Sequence, residues 1–316
     1  MNQSIERLLV LYTGGTIGMQ QSAAGLMPAS GFEARLRAQQ ALEAGPLPSW
    51  TFRELQPLLD SANMQPTHWL QMASAVRDAV AQGDCDAVLL LHGTDTLAYS
   101  AAALSFLLLD LEIPVLLTGA MLPAGSPGSD AWPNLFGAMR ALQAGQVHGV
   151  QLFFNGVLLH GARVSKLRSD AFDAFAEAPR KRLAAAASER PPALLPQRPA
   201  QVVVLPLYPG VGAAQVRALV ASGAQALLLE CYGSGTGPAD DVPFIEALRH
   251  AHRQGVVLAA ISQCPGGHVD FDVYATGSGM TREAALGKLF ALLAAGLDHA
   301  EVEHWFCRDL CGEMAD

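Results

Sequence analysis

The chain has 316 residues, of which 51% are apolar and 16% charged, a length suited to two domains of about 150 residues each. That core content excludes disorder, fibres and disulfide-dense mini-folds. Lys+Arg number 20 against 29 Asp+Glu, and the resulting −9 charge repels a phosphate backbone, so nucleic acid is not an expected partner.

Mean hydropathy is +0.24. The longest apolar candidate, residues 101–122, is broken by Asp110, Glu112 and Pro114 and falls short of the ~20 clean residues of a membrane span. At the N-terminus only 8–11 is solidly apolar, so neither a signal peptide nor a membrane partner is expected. Cys85, Cys231, Cys264, Cys307 and Cys311 are odd in number and form no CxxC, which reads as reduced thiols in a cytoplasmic protein.

In chain order, short apolar runs bounded by Gly, Pro or polar breaks predict strands at 7–12, 51–55, 87–91, 114–118 and 150–154. Helix-period segments predict helices at 32–44, 67–82, 96–109 and 131–144, and 158–167 reads as a hairpin arm. Alternation of this kind specifies an α/β fold, a mostly parallel sheet of the flavodoxin or Rossmann kind with helices on both faces. Residues 168–200 change character, with Arg180-Lys181-Arg182, an Ala run and Pro191, Pro192, Pro196 and Pro199. The boundaries drawn are an N-terminal catalytic domain at 1–180, a linker at 181–200 and a smaller C-terminal α/β domain at 201–316. In the last, strands are expected at 202–207, 226–231 and 256–262, and helices at 213–222, 242–254, 282–295 and 300–306.

Ligands of open α/β sheets bind beyond the carboxyl ends of the strands. The first strand runs into Thr13-Gly14-Gly15-Thr16-Ile17-Gly18, the second is followed by Asp60-Ser61, and the third ends in His92-Gly93-Thr94-Asp95-Thr96. Two glycines let a substrate approach the main chain closely. A phosphate cradle is disfavoured, because the loop fits neither GxGxxG nor GxxxxGK[ST] and no lysine precedes position 166. Each loop taken alone also has a plain structural reading, with Thr16, Thr94, Asp95 or Thr96 capping the following turn or helix.

A threonine hydroxyl needs a neighbour to take its proton. Nine histidines are present, none at a trustworthy metal-ligand spacing, and His250 and His252 at i,i+2 do not share a face. Of the three lysines, Lys181 lies in the basic run and Lys288 on a helix, whereas Lys166 follows a strand-like segment and could meet Thr94 and Asp95.

The loops 13–18 and 92–96 together resemble the two signatures of the bacterial L-asparaginase/glutaminase amidohydrolases. Tyr12, Gly18-Met19, 57–61, Ser129-Asp130, Asn134-Leu135, 170–175, 208–210, Tyr232-Gly233 and 274–277 resemble the cytoplasmic type I branch, so the similarity runs along nearly the whole chain. The resemblance implies a two-step acyl transfer on asparagine, with Thr16 as nucleophile and Thr94, Lys166 and Asp95 as the second catalytic group. Gly15, Asp60, Ser61, Gly93, Thr94 and Asp95 would bind substrate, with backbone N–H groups of Gly15 and Thr94 facing the oxyanion. It implies no metal or organic cofactor, a small amino-acid amide as substrate, and a homodimer or homotetramer.

Two departures stand out. Leu26 occupies the loop position where the family carries a tyrosine, and Ser278-Gly279-Met280 replaces a longer stretch, which implies loss of the asparagine control seen in some type I members. The rival readings are a glutaminase or other amidase, a weakly catalytic amino-acid-binding homologue, and a racemase using Cys85 and Cys264.

Overall fold

A computed structural model describes residues 5–22, 25–179, 191–265, 269, 275–277 and 279–314. The chain separates into two compact units, Met1–Glu177 and Ala178–Asp316.

The first unit begins with β1 (Arg7–Gly14), followed by a hairpin of β2 (Met19–Ser22) and β3 (Gly25–Pro28), α1 (Phe32–Gln40) and β4 (Ser49–Leu59). Next come α2 (Pro66–Ala81), β5 (Ala87–Leu91), α3 (Leu97–Leu107), β6 (Val115–Thr118), α4 (Ala131–Gln143) and β7 (Val150–Phe154). Three short strands close it: β8 (Val157–His160), β9 (Val164–Lys166) and β10 (Phe175–Glu177). The sheet order is β4-β1-β5-β6-β7-β8, parallel throughout except for the antiparallel β7–β8 pair.

The apolar runs explain the arrangement. Every residue of β5 is buried, as expected of a parallel strand covered on both faces. The Ala-rich α3 is buried almost all round, the mark of an interior helix. One core cluster joins Val10, Tyr12, Phe32, Leu89, Leu116 and Leu135. Helix α2 starts at Pro66, whose missing N–H is harmless there, and His68 Nδ1 accepts the Gln65 N–H at 2.9 Å.

The α/β expectation holds, with differences of detail. Strand β4 is longer than the apolar run 51–55, because β1 pairs with it from Ser49 to Glu54 and, after a register shift, pairs Gly14 with Leu59. The expected hairpin arm at 158–167 is instead two pairings: β8 folds back on β7, and β9 pairs antiparallel with β10. Tight turns at Asn155-Gly156, both with positive φ, and after His160 divide it. The β2–β3 hairpin was not expected. It aligns Met19 with Pro28 and Gln21 with Leu26.

The second unit carries β11 (Val202–Pro206), α5 (Ala213–Ala221), β12 (Ala226–Cys231), α6 (Val242–Arg253), β13 (Val257–Ser262), β14 (Ala275–Thr276), α7 (Arg282–Ala294) and α8 (His299–Phe306). Its sheet runs β11-β12-β13-β14, all parallel. Helix α6 buries Phe244, Ala247, Leu248 and Ala251, an i, i+3, i+4, i+7 stripe, and Asp241 caps it by accepting Phe244 N–H at 3.0 Å. Asp298 and Glu301 form a capping box that opens α8.

Two ion pairs fasten this unit, one buried on both sides and one with a buried carboxylate and a half-exposed guanidinium. Lys288 and Glu313 are both fully buried, 2.6 Å apart, and Lys288 also donates to the carbonyls of Phe306 and Arg308. Glu230, at the end of β12, is held by both sides of the Arg282 guanidinium. Part of the expected linker, 181–190, lies outside the described residues. The remainder is packed: Leu194 is buried, and Gln197 N–H donates to the Ala294 carbonyl at 2.7 Å.

Candidate active site

Three loops at the carboxyl ends of β1, β4 and β5 are stacked so closely that only glycine fits between them. Gly15, at φ 78°, lies where a Cβ would come within 2.3 Å of Gly93 N, and a Cβ on Gly93 would lie 2.4 Å from Ser61 Oγ. Gly15 N–H donates to the Leu59 carbonyl at 2.8 Å, and Thr13 Oγ1 donates to the Leu91 carbonyl at 2.9 Å. Thr16 opens a short 3₁₀ turn, Thr16–Gly18, and is half-buried. Its hydroxyl has no hydrogen-bond partner among the described residues.

Lys166 reaches this edge from the last residue of β9. Its position is fixed by cross-strand pairing with Phe175 and by the Leu167 N–H bond to the Ala174 carbonyl, 2.8 Å. Lys166 Nζ lies 2.7 Å from Asp95 Oδ1 and 3.0 Å from Thr94 Oγ1. Because the ammonium donates to Thr94 Oγ1, the threonine's own hydroxyl proton is directed away from it. Asp95 N–H donates to Ser61 Oγ at 3.3 Å, and Thr96 Oγ1 donates to the Ser61 carbonyl at 2.9 Å. Asp60 accepts Ala62 N–H at 3.2 Å and caps the turn Ser61–Asn63. Asp95, Thr94 and Ser61 thus form one bonded patch with Lys166, while the Thr16 hydroxyl is not bonded to it.

One expectation needs correction. The Gly15 N–H is taken up by Leu59, so it does not face an oxyanion. The Thr94 N–H has no acceptor among the described residues and keeps that capacity.

The network beneath the loop was not foreseen. His92 is fully buried; burial pulls its pKa down to about 4, so the ring is neutral. Its Nδ1 lies 2.7 Å from the Gly93 carbonyl and its Nε2 2.9 Å from Ser100 Oγ, which accepts the Trp69 indole N–H at 3.0 Å. These bonds assign Nδ1–H as donor to Gly93. Beside it, Gly119 approaches the His92 carbonyl so closely that a Cβ would sit 2.3 Å from it. The Gly119 carbonyl accepts from Asn134, and Asp130 gathers Met121 N–H, Leu122 N–H and Asn134 Nδ2. Asp130 and Asn134, noted in sequence only as matching residues, therefore hold the loop after β6 against the His92–Thr94 segment.

Other candidates fall elsewhere. Leu26 sits on β3, 52% exposed, opposite Gln21. Tyr12 OH lies against Gly18 and donates to the Ala29 carbonyl at 3.3 Å, tying the end of the hairpin to β1. Cys85 is buried, and burial pushes its thiol up, which suits neither proton abstraction nor attack. Cys264 is exposed in the other unit. Tyr274 and Ser278 lie outside the described residues. His252 and His299, whose spacing in sequence points to no metal, come together with Glu303 in the second unit.

The fold is a mostly parallel α/β fold with a Thr–Lys–Asp cluster at the strand ends, and comparison with known proteins places it in a class, the amidohydrolases. Residues 7–194 match the asparaginase N-terminal family, and 201–306 match the glutaminase/asparaginase C-terminal domain. L-asparaginase 1 of Escherichia coli is 35% identical, with 97% of each chain covered. The crystal structure of L-asparaginase I from Vibrio cholerae superposes with a TM-score of 0.83 at 29% identity, covering 98% of this chain and 99% of that one. The thermostable L-asparaginase of Thermococcus kodakarensis gives 0.82 at 29% identity over the same shares. The chain belongs to the asparaginase/glutaminase family.

Proposed function

We propose that the chain hydrolyses the side-chain amide of L-asparagine to L-aspartate and ammonia, with Thr16 as nucleophile. The observation that carries this reading is the Lys166 ammonium, 2.7 Å from Asp95 and 3.0 Å from Thr94, at the strand ends from which the unbonded Thr16 hydroxyl also projects. With Lys166 as the neutral amine, its extra proton first given up to solvent, Thr16 Oγ1 attacks the amide carbon as the Thr16 proton passes to Thr94 Oγ1 and the Thr94 proton to Lys166 Nζ. The Thr94 N–H stabilises the oxyanion, the C–N bond breaks, and the proton departs on ammonia. Water then attacks the ester, the same pair takes its proton, and Thr16 Oγ1 is released reprotonated. Asp95 orients Lys166. With Asp60, Ser61 and Gly93 it receives the α-ammonium and α-carboxylate of the substrate.

A homodimer or homotetramer in the cytoplasm fits this reading. All five cysteines are free and two are exposed, which suits a reducing compartment. Ammonia release from L-Asn and L-Gln, measured for the wild type and Thr16→Ala, tests the assignment. Turnover of L-Asn that disappears in the variant is the expected result; binding of L-Asn without ammonia release overturns it.

A further inference from the structure

We propose that His252, His299 and Glu303 form a site for one divalent transition-metal ion, with zinc the best match to the donors. The three residues come from two helices of the second unit: His252 from the last turn of α6, and His299 and Glu303 from α8, where i,i+4 spacing puts them on one face. His252 Nε2 lies 3.2 Å and His299 Nε2 3.6 Å from the same oxygen, Glu303 Oε1. One donor atom from each residue falls within 4.8 Å of the others.

Those separations can be compared with a coordination shell. Bonds of 2.0–2.1 Å in a tetrahedron put neighbouring donors about 3.3 Å apart. Two edges of that polyhedron are therefore nearly formed before any ion arrives. The imidazoles meet edge to face, with centroids 4.6 Å apart and planes at 76°, so their nitrogens converge on the carboxylate instead of stacking. Two imidazoles and one carboxylate, with a fourth position open to water, are a common zinc donor set.

Charge points the same way. Glu303 has no lysine or arginine partner among the described residues; its ionic contacts are the two histidines. A metal ion would supply the missing positive charge. Binding would require His299 Nε2 to give up its 3.3 Å contact with the Val256 carbonyl and carry its hydrogen on Nδ1. Arg249 and Arg253 line, together with His252, a cavity of about 610 Å³, and their positive charge sets the affinity below that of a closed structural site.

None of the three residues belongs to the catalytic group, so the test is independent of the proposed reaction. Metal-free full-length protein is titrated calorimetrically with Zn²⁺ and spectroscopically with Co²⁺. One ion per chain is expected, together with a rise in Tm on zinc addition. His252→Ala and Glu303→Gln should each lower the affinity tenfold or more and remove the Tm rise, with ammonia release unchanged. His252 is about half exposed, so its replacement leaves the core intact, and His252→Gln provides a milder second variant. Tetrahedral Co²⁺ bands without a thiolate charge-transfer band support the site. Absence of saturable binding, or binding that survives both variants but is lost in Cys307→Ser, overturns it.

Discussion

The two units share one architecture, a parallel sheet with flanking helices, but bury polar groups differently. In the first, the buried polar residues include Thr13, Ser61, His92, Thr94, Ser100, Thr118, Asp130 and Asn134, nearly all of them neutral and joined by hydrogen bonds at the strand ends. In the second, the buried polar residues among those described are Glu230, Lys288 and Glu313, each in an ion pair. Neutral hydrogen bonds fix direction at modest energetic stakes and suit a loop that must hold hydroxyls and N–H groups toward a substrate. A buried ion pair fixes connectivity, and removing one partner leaves an uncompensated charge. The first unit is built to aim groups, the second to hold elements together.

The largest expected effect breaks the first unit's chemistry without touching its packing. Thr16→Ala should lower kcat by on the order of 10⁶ while the circular dichroism spectrum is retained; residual activity above a tenth would remove Thr16 from the reaction. Thr94→Val and Lys166→Met should each come close to that loss, and the double variant should be little worse than either. Multiplicative losses in steady-state ammonia release would show that the two do not act as one relay.

In the second unit the expected damage is to stability. Lys288→Met strands a buried carboxylate and should cost about 3–5 kcal/mol in urea unfolding, with part of it recovered by Lys288→Met/Glu313→Leu. Unchanged stability in the single variant would mean that the pair does not hold the segment after α8. Burial resists ionisation of Glu313, but the Lys288 ammonium and the hydrogen bonds around it outweigh this and hold its carboxyl below the usual carboxylate range.

The neutral network has its own pH signature. His92 binds a proton near pH 6.5 in the unfolded chain but only near pH 4 when folded. Its contribution to stability is therefore complete above about pH 6.5 and is lost as pH falls toward 4, about 2 kcal/mol of it between pH 7 and pH 5. Unfolding of the wild type and His92→Gln at the two pH values should show that extra loss in the wild type alone; equal pH slopes would assign the loss to other groups. The smallest effect concerns the hairpin. Leu26→Tyr should raise kcat by less than about 10²-fold, since an orienting hydroxyl acts mostly in the transition state. A neutral or harmful result would mean that the leucine is no deficit.

Much of this was legible in the sequence. β5 and β7 match their expected spans to the residue: β5 is uniformly apolar because both its faces are buried, and β7, apolar but for Gln151, stops at the polar Asn155-Gly156 turn. Thr94, Asp95 and Lys166 could be paired in advance because lysine is so scarce. The β2–β3 hairpin was hidden, since its strands, MQQS and GLMP, contain no β-branched residue and no alternation. The role of His92 was hidden too, because a histidine in an apolar context carries no sign of what it bonds. His252 and His299 are too far apart in sequence for ligand spacing to find them; the packing of α8 beside the end of α6 is what joins them.

The edge strand β4 carries a further consequence, for colloidal behaviour. It is 11 residues long and, among the described residues, pairs with a strand on one side only, β1, which leaves backbone groups open to a strand from another molecule. Its sequence blunts that invitation. Pro57 has no N–H to offer, and Arg53 and Glu54 place charge midway along the strand. A foreign chain finds no unbroken ladder to extend. Resistance to edge-to-edge aggregation is therefore written into the same strand that leads into Asp60 and Ser61.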